Sequence, residues 1–167
     1  MTETFPKTPA SAPAATVRAP KPKMPVIYIA GPFRGRTRWD VAQNTRRATF
    51  FGLIAALNGA MPLIPHANSE LFDGQLTDDF WLYGTAELLR RCDGIIAIPG
   101  HQRSKGSLAE IAIAADAQMP ALIFGDTRDA YPTDESKKHI ANFLYQSFGV
   151  FPPLPSRGGS PTSGSIS

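Results

Sequence analysis

Glu110 and the residues before it are the part of this chain best suited to chemistry. The run Ile95-Ile96-Ala97-Ile98-Pro99-Gly100 reads as a buried strand that stops at a turn, and Ser104-Lys105-Gly106-Ser107-Leu108-Ala109-Glu110 reads as a small-residue loop opening a helix. A helix start offers free backbone N–H groups and the positive end of the helix dipole, which suits an anionic ligand. Glu110, in the first turn of that helix, can turn its carboxylate into the same crevice. A second reading stands beside this one. Ser107-x-x-Glu110 has the spacing of a capping box, in which the serine hydroxyl caps the helix and the glutamate reaches back to the serine N–H.

Other candidate groups lie in the loops. Gly31-x-x-x-Gly35 is neither the dinucleotide fingerprint nor a Walker A loop, because the G-x-G-x-x-G spacing and a following Gly-Lys-Ser/Thr are both missing. Arg34, Arg36 and Arg38 make that loop basic, as a ligand cradle or as a solvated surface. His66 directly follows an apolar run, and no second His or Cys stands at metal-ligand spacing, so no metal and no cofactor is expected. Asp78 and Asp79 suit a helix start, and either can face a crevice. His101 and His139 are isolated, and Asp93 suits a turn. Cys92 is the single cysteine, which excludes an internal disulfide, fits packing, and points to a reducing, cytoplasmic setting.

The net charge of +3 comes without a basic, aromatic-laced stripe, so no nucleic-acid polymer is expected as partner. No apolar run reaches membrane-spanning length, and the first residues lack the apolar core of a secretory signal.

Residues 1–24 are rich in Pro, Ala, Thr and Lys, and 151–167 in Pro, Gly and Ser; both are expected to be disordered tails around one folded unit at 25–150. Within it, apolar runs at 26–30, 61–64, 95–98 and 119–124 read as strands. Helical patterns fill 40–58, capped by Asp40 with Gln43 three residues on, then 77–91, 108–118 and the stretch after Thr133 that carries Ile140, Phe143 and Leu144. The connector 67–75 is polar. Strands that alternate with helices, and are apolar throughout, indicate an α/β fold with a parallel sheet of four to five strands covered on both faces. Ligands then bind beyond the carboxyl ends of the strands, where the loops 31–39, 65–77, 99–107 and 125–132 gather. Phe143, Tyr145, Phe148 and Phe151 suit either the core or a contact between subunits.

Four pieces recur in order: Tyr28-Ile29-Ala30-Gly31-Pro32, Pro65-His66, Cys92-Asp93, and Ser104-x-Gly106-x-x-x-Glu110 followed by an alanine-rich helix and Pro120. Together they resemble the nucleoside 2-deoxyribosyltransferase superfamily over about residues 25–125, in particular a small phage and bacterial branch with a Ser-Lys-Gly-x-x-x-Glu core. The resemblance implies a flavodoxin-like (Rossmann-like) sheet and a site that cleaves or transfers the N-glycosidic bond of a nucleoside or nucleoside 5'-monophosphate. It implies Glu110 as the nucleophile that forms a covalent glycosyl-enzyme, by the logic of retaining glycosidases, with Tyr28 orienting it. It also implies a homodimer or larger homo-oligomer.

Members that act on free nucleosides carry an acid where Ser104 stands; nucleotide hydrolases of the superfamily carry a serine there, against the phosphate. Ser104, Lys105, Gly106 and Arg34 thus form the implied phosphate cradle, with Gly31, Pro32, Phe33 and His66 completing the ligand contacts. One position departs from the pattern. The aspartate that characterised enzymes carry eight residues ahead of Asp93 is Thr85 here, and Asp79, or its neighbour Asp78, is the acid expected to substitute from the helix start. That departure also keeps open a nucleotide-binding protein without turnover, such as a sensor.

Overall fold

The computed structural model describes residues 24–72, 74–126 and 131–150. Four strands, β1 (Val26–Ala30), β2 (Met61–Leu63), β3 (Gly94–Ala97) and β4 (Ala121–Ile123), form one sheet in the order β2-β1-β3-β4, and every pairing is parallel. The helices are α1 (Arg38–Leu57), α2 (Pro65–Ser69), α3 (Asp78–Leu89), α4 (Lys105–Asp116) and α5 (Asp134–Phe148), with 3₁₀ turns at Glu70–Phe72 and His101–Arg103. This is the doubly wound, flavodoxin-like arrangement. The chain runs from β1 to one neighbour and then crosses back to the other, which opens a crevice beyond the ends of β1 and β3.

Alternation inside the apolar strands decides which side chain meets which layer. Ile27, Ile29, Ile96 and Ile98 pack with Phe51, Ala55, Ile140 and Leu144, so α1 and α5 cover one face. Tyr28, Ala30, Ile95 and Ala97 pack with Leu89, Cys92, Ala114 and Ile111, so α3 and α4 cover the other. Phe143 and Phe148 join the first cluster, Tyr145 is about half exposed, and Phe151 lies outside the described residues, as do both tails. No helix among the described residues is long and apolar enough to cross a membrane.

Two helix starts differ from the expectation, and capping chemistry explains both. Thr37, not Asp40, caps α1: the Asp40 N–H donates to Thr37 Oγ1 at 3.2 Å, and the Thr37 N–H donates to Asp40 Oδ2 at 2.9 Å, a complete capping box. Likewise Ser104, not Ser107, caps α4, since the Ser107 N–H donates to Ser104 Oγ at 3.3 Å. The helix therefore opens at Lys105, and the Ser107–Glu110 capping box does not form. The connector after β2 is also more ordered than its polarity suggests. Pro65 starts α2 at a position where a missing N–H costs nothing.

Gly31, just past β1, is a glycine for steric reasons. A Cβ there would stand 2.6 Å from Ile98 Cγ1 and 2.7 Å from Cδ1, and Ile98 is fully buried and cannot retreat. Gly31→Ala is expected to cost about 1–3 kcal/mol of stability. Measured by urea unfolding, the double variant with Ile98→Ala should be less destabilised than the two single variants together, because the smaller side chain vacates the contested space.

Candidate functional site

A cavity of about 550 Å³ lies where the sheet topology reverses, a size that encloses a small ligand. Gly31, Pro32, Phe33 and Arg34 from the end of β1 form one wall; Pro65, His66 and Ser69 of α2 form another. Asp78, Trp81, Leu82 and Thr85 come from α3, and the segment from Arg103 through Ser107, with Glu110, comes from the start of α4. The spacing of the α3 residues, i, i+3, i+4 and i+7, is one helical face.

Glu110 and Tyr28 form the centre. The Tyr28 hydroxyl donates to Glu110 Oε1 at 2.6 Å, the short distance typical of a hydrogen bond to a carboxylate. Tyr28 is fully buried on the α3/α4 face of β1 and sits behind Glu110, not on the cavity wall. Burial pushes the Glu110 carboxyl up to about 7, and the Tyr28 hydrogen bond pulls the other way without cancelling it. The Tyr28 phenol is itself held far above its ordinary range, first by burial and then by the charge of Glu110, so it stays a donor. The Thr85 side chain also reaches the phenol.

His66 is buried, and its Nε2 lies 2.8 Å from the Gly31 carbonyl oxygen. A carbonyl only accepts, so Nε2 carries the proton and donates. Burial holds the imidazole pKa below its ordinary value, which keeps the ring neutral and leaves Nδ1 as a bare acceptor. Nδ1 has no partner, and neither do Trp81 Nε1 and Ser107 Oγ. Among the described residues these are the buried side-chain polar atoms without a hydrogen bond, and all three residues line this cavity. Orphaned polar groups are uncommon in a folded interior, and their convergence marks a place prepared for a polar ligand.

The cationic side is built from Arg34, Arg103 and Lys105 around the start of α4. Arg34 is ion-paired with Asp78, and Arg103 with Asp126 at 2.8 Å, all at exposed positions. Asn44, buried on α1, fixes the β1 loop by donating to the carbonyls of Phe33 and Arg34 at 3.1 and 3.0 Å. The Phe33 ring in turn sits 5.7 Å from the His66 ring.

Nine of the eleven residues singled out from sequence therefore line one cavity: Gly31, Pro32, Phe33, Arg34, His66, Ser104, Lys105, Gly106 and Glu110. Tyr28 touches it through Glu110. Asp79 is exposed and absent from the wall; one residue along a helix turns the side chain by about 100°, and Asp78 takes the inward place. Trp81, Ser107 and Asn44 were not singled out as ligand-site residues. Nothing local marks them, because their importance arises from partners distant in sequence. Among the described residues, no three His, Cys, Asp or Glu side chains gather to hold a metal ion.

The carboxyl raised to about 7 has a consequence for stability. A Glu that titrates at about 4.5 in the unfolded chain and near 7 in the fold binds more protons folded than unfolded between those values. Stability therefore falls as pH rises through that window and levels off above it. Glu110→Gln removes the effect. The variant is expected to be more stable than the parent at pH 8, by about 3 kcal/mol at most, with the advantage gone at pH 4, as read by urea unfolding at the two pH values.

No curated protein matches the chain. One family's sequence model does match, from residue 25 to residue 124, a span that takes in all four strands and every residue placed in the cavity. On that match the chain belongs to the family described as Domain of unknown function (DUF7768).

Proposed function

We propose that this protein cleaves or exchanges the N-glycosidic bond of a nucleoside 5'-monophosphate, or of the parent nucleoside, through a covalent intermediate on Glu110. The observation that carries this reading is the Glu110 carboxylate itself: partly buried, held by a buried tyrosine hydroxyl at 2.6 Å, and turned to a cavity with a cationic rim. The ionised carboxylate attacks the anomeric carbon, and the bond to the base nitrogen breaks with its electron pair leaving on the base, which takes up a proton from water. Water then attacks the glycosyl ester, releases the sugar and returns Glu110 to its carboxylate. Positive charge develops on the sugar in the transition state, and a carboxylate beside it in a poorly solvated site stabilises that charge. Tyr28 positions the carboxylate. Ser104, Lys105, Arg34 and the N-terminal N–H groups of α4 suit the phosphate. A reducing, cytoplasmic setting fits the unpaired, buried Cys92.

Thr85 favours a second reading, a nucleotide-binding protein without turnover. It stands on the cavity wall at the position where the resembling enzymes hold an aspartate, and Asp78, the acid on that wall, is ion-paired with Arg34. A missing general acid typically costs about two to four powers of ten in rate.

Chromatography of mixtures with ribo- and deoxyribonucleoside 5'-monophosphates, and with the parent nucleosides, separates the readings. Free base released by the parent protein and not by Glu110→Ala is the expected result; binding of a nucleotide without release, even with a second base as acceptor, would favour the binding protein. The pH dependence is a further check. Because Glu110 must be ionised to attack, the rate is expected to rise with pH through about 7. Tyr28→Phe deletes the hydrogen bond that favours the charged carboxylate, so its midpoint should lie about one pH unit higher.

A further inference from the structure

The cavity wall offers no uncommitted carboxylic acid to a leaving base. When the N-glycosidic bond of an ordinary nucleotide breaks, the base departs as an anion unless a proton reaches it. Glu110 and Asp78 are the acidic side chains on the wall. Glu110 is the nucleophile, and Asp78 is ion-paired with Arg34. His66 spends its proton on the Gly31 carbonyl and Tyr28 spends its own on Glu110. A base that is already cationic at the glycosidic nitrogen removes the need. The electron pair of the broken bond then neutralises the ring, and the base leaves uncharged. The Glu110 carboxylate suits such a cation by charge, and the Trp81 ring on the wall suits it as an aromatic surface. A carboxamide on that base would supply the donor and the acceptor that His66 Nδ1 and Trp81 Nε1 are without.

The cationic rim also extends past the cavity. Beyond Arg34 the chain runs Gly35-Arg36-Thr37-Arg38-Trp39, with both further arginines exposed and Trp39 71% exposed. Neither Arg36 nor Arg38 lies within ion-pair distance of a described carboxylate, whereas Arg34, Arg90, Arg91 and Arg103 do. The Trp39 indole makes no ring contact with a described residue. The backbone beneath these side chains is nonetheless held firmly. Asn44 binds the carbonyls of Phe33 and Arg34, a Cβ at Gly35 would collide with Asp40, and the Thr37–Asp40 capping box closes the turn. Trp39 follows Arg34 by five residues, no more than about 18 Å even along an extended chain. A fixed aromatic surface beside arginines suits a stacked base and its phosphates. On the other side, an apolar groove of about 470 Å³ adjoins the cavity across Trp81 and Thr85; no charged side chain lines it, so it does not suit a phosphate.

We propose that the substrate is a pyridinium dinucleotide. Its cationic base lies at Glu110, its two linked phosphates follow the rim from the start of α4 to Arg36 and Arg38, and its second base stacks on Trp39. This rests on the N-glycosidase reading of the Glu110 cavity and names its substrate. The Glu110 carboxylate bonds to the anomeric carbon, and the bond to the ring nitrogen breaks with its electron pair passing to that nitrogen. Water then hydrolyses the glycosyl ester, which leaves a free anomeric hydroxyl on the sugar and sends one proton to solvent. The β1 loop lacks the glycine fingerprint, so holding the phosphates falls to these arginines and the start of α4.

The test is chromatography of the full-length protein incubated with oxidised nicotinamide adenine dinucleotide, its reduced form, nicotinamide mononucleotide, the common 5'-mononucleotides and a short single-stranded oligonucleotide. The oxidised dinucleotide is expected to lose its base. The reduced form, whose ring is uncharged, should lose it at least about a hundredfold more slowly. Glu110→Gln should abolish release. Trp39→Ala is expected to raise KM for the dinucleotide about fivefold or more, with kcat within about twofold, because the second base loses its stacking partner. The same variant should change kcat/KM for nicotinamide mononucleotide, which does not reach Trp39, by less than about twofold. Its melting temperature should match the parent's, since only an exposed ring is removed. Release from the common mononucleotides with the dinucleotide left whole overturns the inference and leaves the N-glycosidase reading intact. So does a Trp39→Ala effect that is absent, or equal for dinucleotide and mononucleotide. Base lost from the oligonucleotide in preference to the dinucleotide overturns it in favour of a strand lying over Trp39. No release from any of these substrates overturns both readings.

Discussion

The rest of this structure is arranged around one hydrogen bond, from a fully buried tyrosine hydroxyl on β1 to the carboxylate of Glu110 on α4. A carboxylate is costly to enclose, and a phenol that must stay hydrogen-bonded inside a core is costly to leave alone; each offsets part of the other's penalty. The pair sets geometric demands on its surroundings. Tyr28 must alternate onto the α3/α4 face of the sheet, while Ile27 and Ile29 turn to α1 and α5. Small residues, Ala30, Ala97 and Ala114, pack in the same layer as the phenol. Helix α4 must start at the right residue. With Ser104 as cap, Glu110 falls in the second turn and faces inward; had Ser107 capped the helix, Glu110 would have sat in the first turn, free to fold back on the backbone.

The site is also unfinished in an electrostatic sense. Burial outweighs the single hydrogen bond at Glu110, so its carboxyl titrates near 7 instead of being fully committed to charge. His66 spends one nitrogen on the Gly31 carbonyl and keeps the other unpartnered; the Trp81 indole N–H and the Ser107 hydroxyl are unpartnered too. Arginines at the rim are engaged by carboxylates at exposed positions, where ion pairs contribute little and can be exchanged for a ligand's anion. A fold selected only for stability would satisfy these groups. Leaving them unsatisfied around one cavity costs stability locally, and a ligand that pairs with them recovers it.

Much of the fold was legible in the sequence because the signals are local. Apolar runs closed by Gly-Pro or Pro-His mark the strands, Thr77 and Thr133 mark helix starts, and Asn58-Gly59 marks a helix end, with Gly59 at a φ of +88°. The helix starts that the sequence leaves ambiguous, at Thr37 and Ser104, both lie in stretches with two hydroxyl or acidic residues three apart. Either can cap, and the sequence does not rank them; the tertiary position of the following helix does. The site was partly legible for a related reason. Residues near strand ends could be assigned to the ligand edge by topology alone. Asn44, Trp81 and Ser107 could not, because a helix residue's role depends on which face turns inward, and α3 carries apolar residues on more than one face.

Helix α3 shows why one residue's rotation matters so much. Asp78, Trp81, Leu82 and Thr85 face the cavity, while Phe80, Gly84 and Leu88 face the groove, and Trp81 and Thr85 belong to both. Two adjoining concavities therefore share a boundary made of one edge of α3 together with Pro65 and Ser69 of α2. Moving that edge by 100° would exchange Asp78 for Asp79 at the rim and carry Thr85 away from Tyr28. What fixes the rotation is the inner side of α3, where Leu89 is fully buried and Leu88 packs against the same core cluster as Tyr28 and Ala114. The polar centre and the apolar groove thus depend on the packing of Leu88 and Leu89, and a packing change beneath α3 would alter both, with no residue of the Glu110–Tyr28 pair touched.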